Sequence, residues 1–99
     1  MQTSNNEPKA NQNSVIIING KEVVKTYAKG TWWIAVKPIC DILNIDHTRQ
    51  FKTIKEHRIL SREWAVQPMH DVTNRKQEMV CLPQKYITGW LFSLQSSSE

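Results

Sequence analysis

The stretch GTWWIAVKPICDILNID, residues 30–46, constrains the fold more than any other part of the chain, because its apolar period changes in the middle. From Thr31 to Val36 the residues are mostly β-branched or aromatic and suit a pleated strand. Beyond Pro38 the apolar residues Ile39, Ile42 and Leu43 recur at helical spacing. A proline fits the first turn of a helix, where its missing N–H has no intrahelical partner to lose, so Pro38 punctuates a switch from strand to helix. Alternation along the strand sends Trp32 and Trp33 to opposite faces. One of them covers the core, and the other has to meet a helix, a tail or a partner chain.

The flanking segments complete a small α+β pattern. In VIIINGKEVVKTY the pair Asn19-Gly20 separates two β-branched runs and supplies the positive φ angles of a tight hairpin turn. AKGT makes a second turn around Gly30, so a third antiparallel strand follows, and about three strands are the least that hold together in water. Asn44 suits the left-handed residue that ends a helix. A second helix begins at Asp46 or Thr48, both good caps, and runs through RQFKTIKEH. It puts His47, Phe51, Ile54 and Arg58 on one face and Arg49, Lys52 and Lys55 on an adjacent flank. ILSREWAVQPMHDV and QEMVCLP read as two further strands joined by the polar loop TNRK, with Pro68 at an edge or a break. PQKYITGWLFSL starts with Pro83 as a helix-opening residue and gathers Ile87, Trp90, Leu91 and Leu94, despite the roughly 1 kcal/mol that Gly89 costs relative to alanine. The expected architecture is a small antiparallel sheet, an N-terminal hairpin plus further strands, packed with about three helices.

Size and composition set the bounds. A chain of 99 residues holds one domain, which has to commit nearly all its large apolar side chains to the core. Residues 1–14 contain only Met1 and Ala10 as apolar residues and cannot repay the entropy of being ordered. They are expected to form a disordered tail, as are residues 95–99, which leaves 15–94 as the folded part. No apolar leader and no run long enough for a bilayer is visible, so a cytoplasmic location and no membrane partner are expected. Cys40 and Cys81 lack the spacing of a disulfide scaffold and read as small buried residues, with a lone disulfide between them left open. A net charge of +4 permits an acidic partner such as nucleic acid without demanding one.

Little in the chain has the spacing that chemistry needs. Cys40, His47, His57, His70 and Cys81 form no metal-ligand pair, no nucleophile elbow is present, and Gly20, Gly30 and Gly89 belong to no phosphate loop. No catalytic residue, cofactor, metal or small-molecule substrate is expected, and the chain reads as no enzyme. The basic flank is the best candidate for a functional surface. Arg49, Lys52 and Lys55, with Arg58 and Arg62 beyond them, could meet a phosphate backbone, and Gln50 could reach a base edge from the same helix. The plainer reading is a solvated helix face partly neutralised by Glu56 and Glu63, and both stay open. Trp32 and Trp33 are the candidate partner interface, since an exposed tryptophan marks one.

The pairing of WWIAVKPICDILNID with the distant QEMVCLPQKYITGWLF resembles the N-terminal domain of phage antirepressors, a group related to the Bro-type N-terminal domains of phages and large DNA viruses. On the first block the resemblance rests on Trp33, Ala35, Pro38, Ile39, Cys40, Leu43, Ile45 and Asp46, followed by Gln50, Lys52 and Lys55. On the second it rests on residues from Gln77 to Phe92, Leu82-Pro83 and Gly89-Trp90 among them. Asn44 stands where such domains usually carry glycine, and TNRK replaces a glycine-rich loop. The resemblance implies a transcriptional regulator and no catalyst. Bro-type domains are associated with DNA, and antirepressors act by binding a phage repressor. DNA is therefore the first expected partner, with a repressor protein or a second copy of the chain as the alternative.

Overall fold

The computed structural model describes residues 12–70 and 73–96. Strands β1 (Asn13–Ile18) and β2 (Lys21–Ala28) form the expected hairpin, with Asn19 and Gly20 at φ 50° and 78°. β3 (Thr31–Ala35) follows through Lys29 and Gly30, at φ 55° and 77°. This second turn therefore takes the same primed form, with a lysine held in a left-handed conformation that its sequence does not advertise.

β3 passes into α1 (Val36–Leu43) without a loop, and Pro38 lies in its first turn. The helix stops at Asn44, at φ 59° and ψ 45°, whose N–H donates to the carbonyl of Asp41. Asparagine tolerates that geometry, which explains how it replaces a glycine there. α2 (His47–Glu56) opens on Asp46, whose Oδ1 accepts from the Thr48 N–H at 3.0 Å. A short 3-10 turn over Leu60–Arg62, absent from the expectation, leads to β4 (Ala65–His70). β5 (Lys76–Pro83) and α3 (Gln84–Ser96) complete the chain. Pro83 is thus the last strand residue and not the first helical one. No helix among the described residues is long and apolar enough to cross a membrane.

The strands make one antiparallel sheet in the order β1-β2-β3-β5-β4. Hairpins account for three of the four pairings, and the fourth, that of β3 with β5, encloses α1, α2 and β4. Register fixes the faces. Ile34 lies opposite Lys25 on one side and Leu82 on the other, and Val23 lies opposite Ile16. Ile34, Leu82 and Val23 point to the helices and join Val36, Ile39, Cys40, Ile54, Ile87 and Trp90 in the main core. Among the described residues no helix residue belongs to the cluster on the other face. There Ala35, Met69 and Cys81 form a smaller buried cluster with Trp33 and Met79 packed against it.

β3 is short, and its end decides the shape. It covers only Lys25–Ala28 of β2 and Cys81–Pro83 of β5, so the far halves of those two strands have no strand between them. α1 packs against both and occupies the gap. A cleft of about 490 Å³ remains there, with Val23, Ala35, Pro38, Ile42, Met69 and Met79 in its walls.

Several expectations are refined. Asn13 and Ser14, assigned to the N-terminal tail, belong to β1, and Gln95 and Ser96, assigned to the C-terminal tail, belong to α3, while residues 1–11 and 97–99 lie outside the described residues. Cys40 and Cys81 are free and buried, and they sit in different clusters on opposite faces of the sheet. Arg58 is no part of the apolar helix face, because α2 ends at Glu56 and Arg58 is exposed beyond it.

Candidate nucleic-acid interface

α2 is the element that presents the basic residues, and its apolar residues decide how it is turned. Ile54 is fully buried and Phe51 packs against the main core, which anchors one side of the helix on α1 and the 3-10 turn. His47 stacks edge-on against Phe51 at 5.2 Å and closes the same side. At about 100° per residue, Arg49, Lys52 and Lys55 then come out on successive turns of the exposed side, each next to the one before. All three are exposed, and Glu56 is exposed beside them.

The three are not equivalent. Lys55 Nζ lies 4.9 Å from the centre of the Trp64 ring, a cation–π contact that holds its stem while the ammonium stays at the surface. Arg49 turns the other way. With Gln50, Thr53, His57, Ser93 and Leu94 it lines a groove of about 670 Å³ between α2 and α3, and Gln50 is half-buried in it. Gln50 therefore shares a surface with Arg49 but not with Lys52 and Lys55. Arg58 and Arg62 follow the end of α2, Arg62 as the last residue of the 3-10 turn, and both are exposed.

His57 shapes this transition. Its Nδ1 accepts from the N–H groups of Ile59 and Leu60 at 3.0 and 3.1 Å, which caps the start of the 3-10 turn. Sequence reasoning did not single out Thr53 or His57 as surface partners of Arg49. The spacing was visible, because Arg49, Thr53 and His57 are four residues apart in succession and fall along one ridge.

Charge is what distinguishes this region. Residues 47–62 hold five basic residues and one acidic residue, so this one segment carries the whole of the chain's net +4. A close ion pair joins Lys37 and Asp41 on α1 at 3.1 Å, and Arg49, Lys52, Arg58 and Arg62 take part in none. Glu56 and Glu63 do not engage them.

The two tryptophans offered as a partner interface are both half-buried. Trp32 is on the helix face, edge-on to Tyr27 at 5.4 Å and beneath Lys25 Nζ at 4.5 Å. Trp33 is on the face opposite the main core, where its Nε1 donates to the Ala28 carbonyl at 2.9 Å. The structure thus separates them, as alternation requires.

No curated protein and no solved structure matches the chain. The family model described as P22_AR N-terminal domain matches residues 14–98, which takes in every strand and helix described above from the second residue of β1 onward. The chain therefore belongs to the P22_AR N-terminal domain family, the N-terminal domain of phage antirepressors.

Proposed function

We propose that this antirepressor domain is a non-catalytic transcriptional regulator that contacts DNA through α2, in the manner associated with Bro-type domains. Arg49, Lys52 and Lys55 meet the phosphate backbone, Arg58 and Arg62 extend the contact past the end of the helix, and Gln50 lies in the groove beside Arg49 alone. The observation that carries this reading is the concentration of the whole net positive charge in one exposed segment without intramolecular ion pairs. Solvated lysines and arginines condensed on one helix release phosphate counterions on binding, which is the source of salt-sensitive affinity. The place of action is the cytoplasm, where a phage operator and its repressor are found.

The direct test replaces Arg49, Lys52 and Lys55 together with glutamate. All three side chains are exposed, so the domain keeps its fold and its circular dichroism spectrum. Loss of duplex DNA binding in fluorescence anisotropy is the expected result, and unchanged affinity in the folded variant contradicts the assignment.

A second reading has its own observation. The face opposite the main core carries Trp33 and Met79, each packed against the smaller cluster, and exposed Val15 and Ile17 lie on the same side of the sheet. A repressor protein bound there would be held by apolar contact, with little dependence on salt.

A further inference from the structure

β1 is an outer strand of the sheet, and its backbone shows which of its groups are unused. The Tyr27 N–H donates to the Gln12 carbonyl at 2.8 Å, which makes these two a hydrogen-bonded pair in the β1–β2 ladder. Hydrogen bonds in an antiparallel ladder involve every second residue, so Ser14, Ile16 and Ile18 point their N–H and C=O groups toward β2. Asn13, Val15 and Ile17 point theirs outward, along an edge that no other described strand covers.

Natural proteins blunt such edges with lysine, proline or inward charges. β1 has none of these: its sequence is NSVIII, with no charged residue and no proline. The opposite edge is different, because β4 contains Pro68, which has no N–H to offer. On the β1 edge two large apolar side chains stand exposed, Val15 at 47% and Ile17 at 62%. They are the same residues whose backbone groups face outward.

We propose that β1 pairs with β1 of a second copy of this chain, antiparallel and about a two-fold axis perpendicular to the sheet. Among the registers that oppose outward-facing residues, one sets both exposed apolar side chains against each other. Ile16 lies opposite Ile16 of the second copy on the axis, Val15 lies opposite Ile17, and Ile17 lies opposite Val15. The two outward-facing residues then exchange their N–H and C=O groups with each other across the axis. Val15 and Ile17 of the two copies meet as cross-strand pairs on the face opposite the main core. Moving the axis onto Val15 or Ile17 keeps a ladder but sets the other apolar side chain against Asn13 or Asn19.

The edge is complementary to itself in this register, and charge does not oppose a second copy as the occupant. β1 brings no charge to the pairing, and the net +4 resides on residues 47–62, on an α2 that packs against α1 and the 3-10 turn. Two copies joined edge to edge therefore oppose no like charges within the strand pair. The perpendicular axis also places both helix layers on the same side of the doubled sheet. A contact of one short strand is small, so it forms a concentration-dependent equilibrium and no obligate dimer. The proposal is independent of nucleic-acid binding.

Sedimentation equilibrium of the full chain over a wide concentration range tests it, beside the variants Val15→Pro and Ile17→Lys. Proline at 15 removes only an outward N–H and leaves the bonds to β2 intact. The wild-type average mass is expected to climb from 11.5 kDa toward twice that value, while both variants keep the circular dichroism spectrum and stay at the monomer mass. Ile16→Cys is expected to form an intermolecular disulfide under mild oxidation and Val15→Cys is not, since only position 16 meets itself across the axis. A wild-type mass that never leaves the monomer value overturns the proposal, and so does self-association undiminished in both folded variants. Cross-linking through position 15 in preference to 16 overturns the register.

Discussion

Gly89 lies inside α3, and a Cβ placed on it meets nothing within 4 Å. No packing or positive φ requires a glycine there, so its cost is the extra freedom it leaves to the unfolded chain. Gly89→Ala is expected to stabilise the domain by about 0.5–1 kcal/mol, read from urea or thermal unfolding. The thiols give a pH dependence. Burial, with the nearby charges of Asp41 and Asp46, pushes Cys40 up to about 11, and burial pushes Cys81 up to about 12, from an ordinary value of 9.0. Above pH 9 the unfolded chain releases thiol protons that the folded chain still holds, so stability falls as pH rises from 9 toward 11 and 12. Unfolding free energies measured from pH 8 to 10.5 should show this decline, and Cys81→Ala should make it shallower. At this scale the sequence was informative where a residue type has a conformational reason. Asn19-Gly20 and Asn44 announced their left-handed backbone, but Lys29 at φ 55° did not, because lysine is held there by the hairpin around it and not by its own preference.

Elements add the question of what each face is for. Asp46 has two roles on α2: its carboxylate caps the helix, and it stands among the groove residues together with Arg49. Asparagine caps a helix about as well as aspartate and carries no charge. Asp46→Asn is therefore expected to leave the unfolding free energy within about 0.5 kcal/mol of wild type. The same change removes a negative charge from the basic surface and should raise DNA affinity several-fold at low salt in an anisotropy titration. Such an opposite-sign effect is one that a merely structural basic helix would not show. The helices were legible because their apolar spacing is regular: the strand-to-helix switch near Pro38 and the start of α2 at Asp46 follow from it. The end of α2 was not. His57 ends the helix through its ring nitrogen, two backbone N–H groups and a 3-10 turn, a device without a residue pattern, and Arg58 consequently left the helix face assigned to it.

At the scale of the whole molecule, sheet order and the separation of functional surfaces come from contacts far apart in sequence. The hairpins could be read locally, but nothing local says that β5, and not β4, lies beside β3. That pairing puts Ile34 opposite Leu82, closes the core around α1, and sends Trp33 to the face opposite the main core. The candidate site was half legible for the same reason. Its residues were visible as a basic flank, whereas the groove that separates Arg49 and Gln50 from Lys52 and Lys55 depends on where α3 lands. The molecule thus has a basic helix on one side and an apolar face and outer strand edge elsewhere. The central claim is that the first of these meets DNA phosphates. Fluorescence anisotropy of a labelled duplex, titrated with the full chain from low to moderate salt, tests it most directly. Contacts from about four of the five basic residues predict saturable binding whose log affinity falls against log salt with a slope near −3.6. No binding at low salt, or binding indifferent to salt, would contradict the account and leave the face opposite the main core as the working surface of the domain.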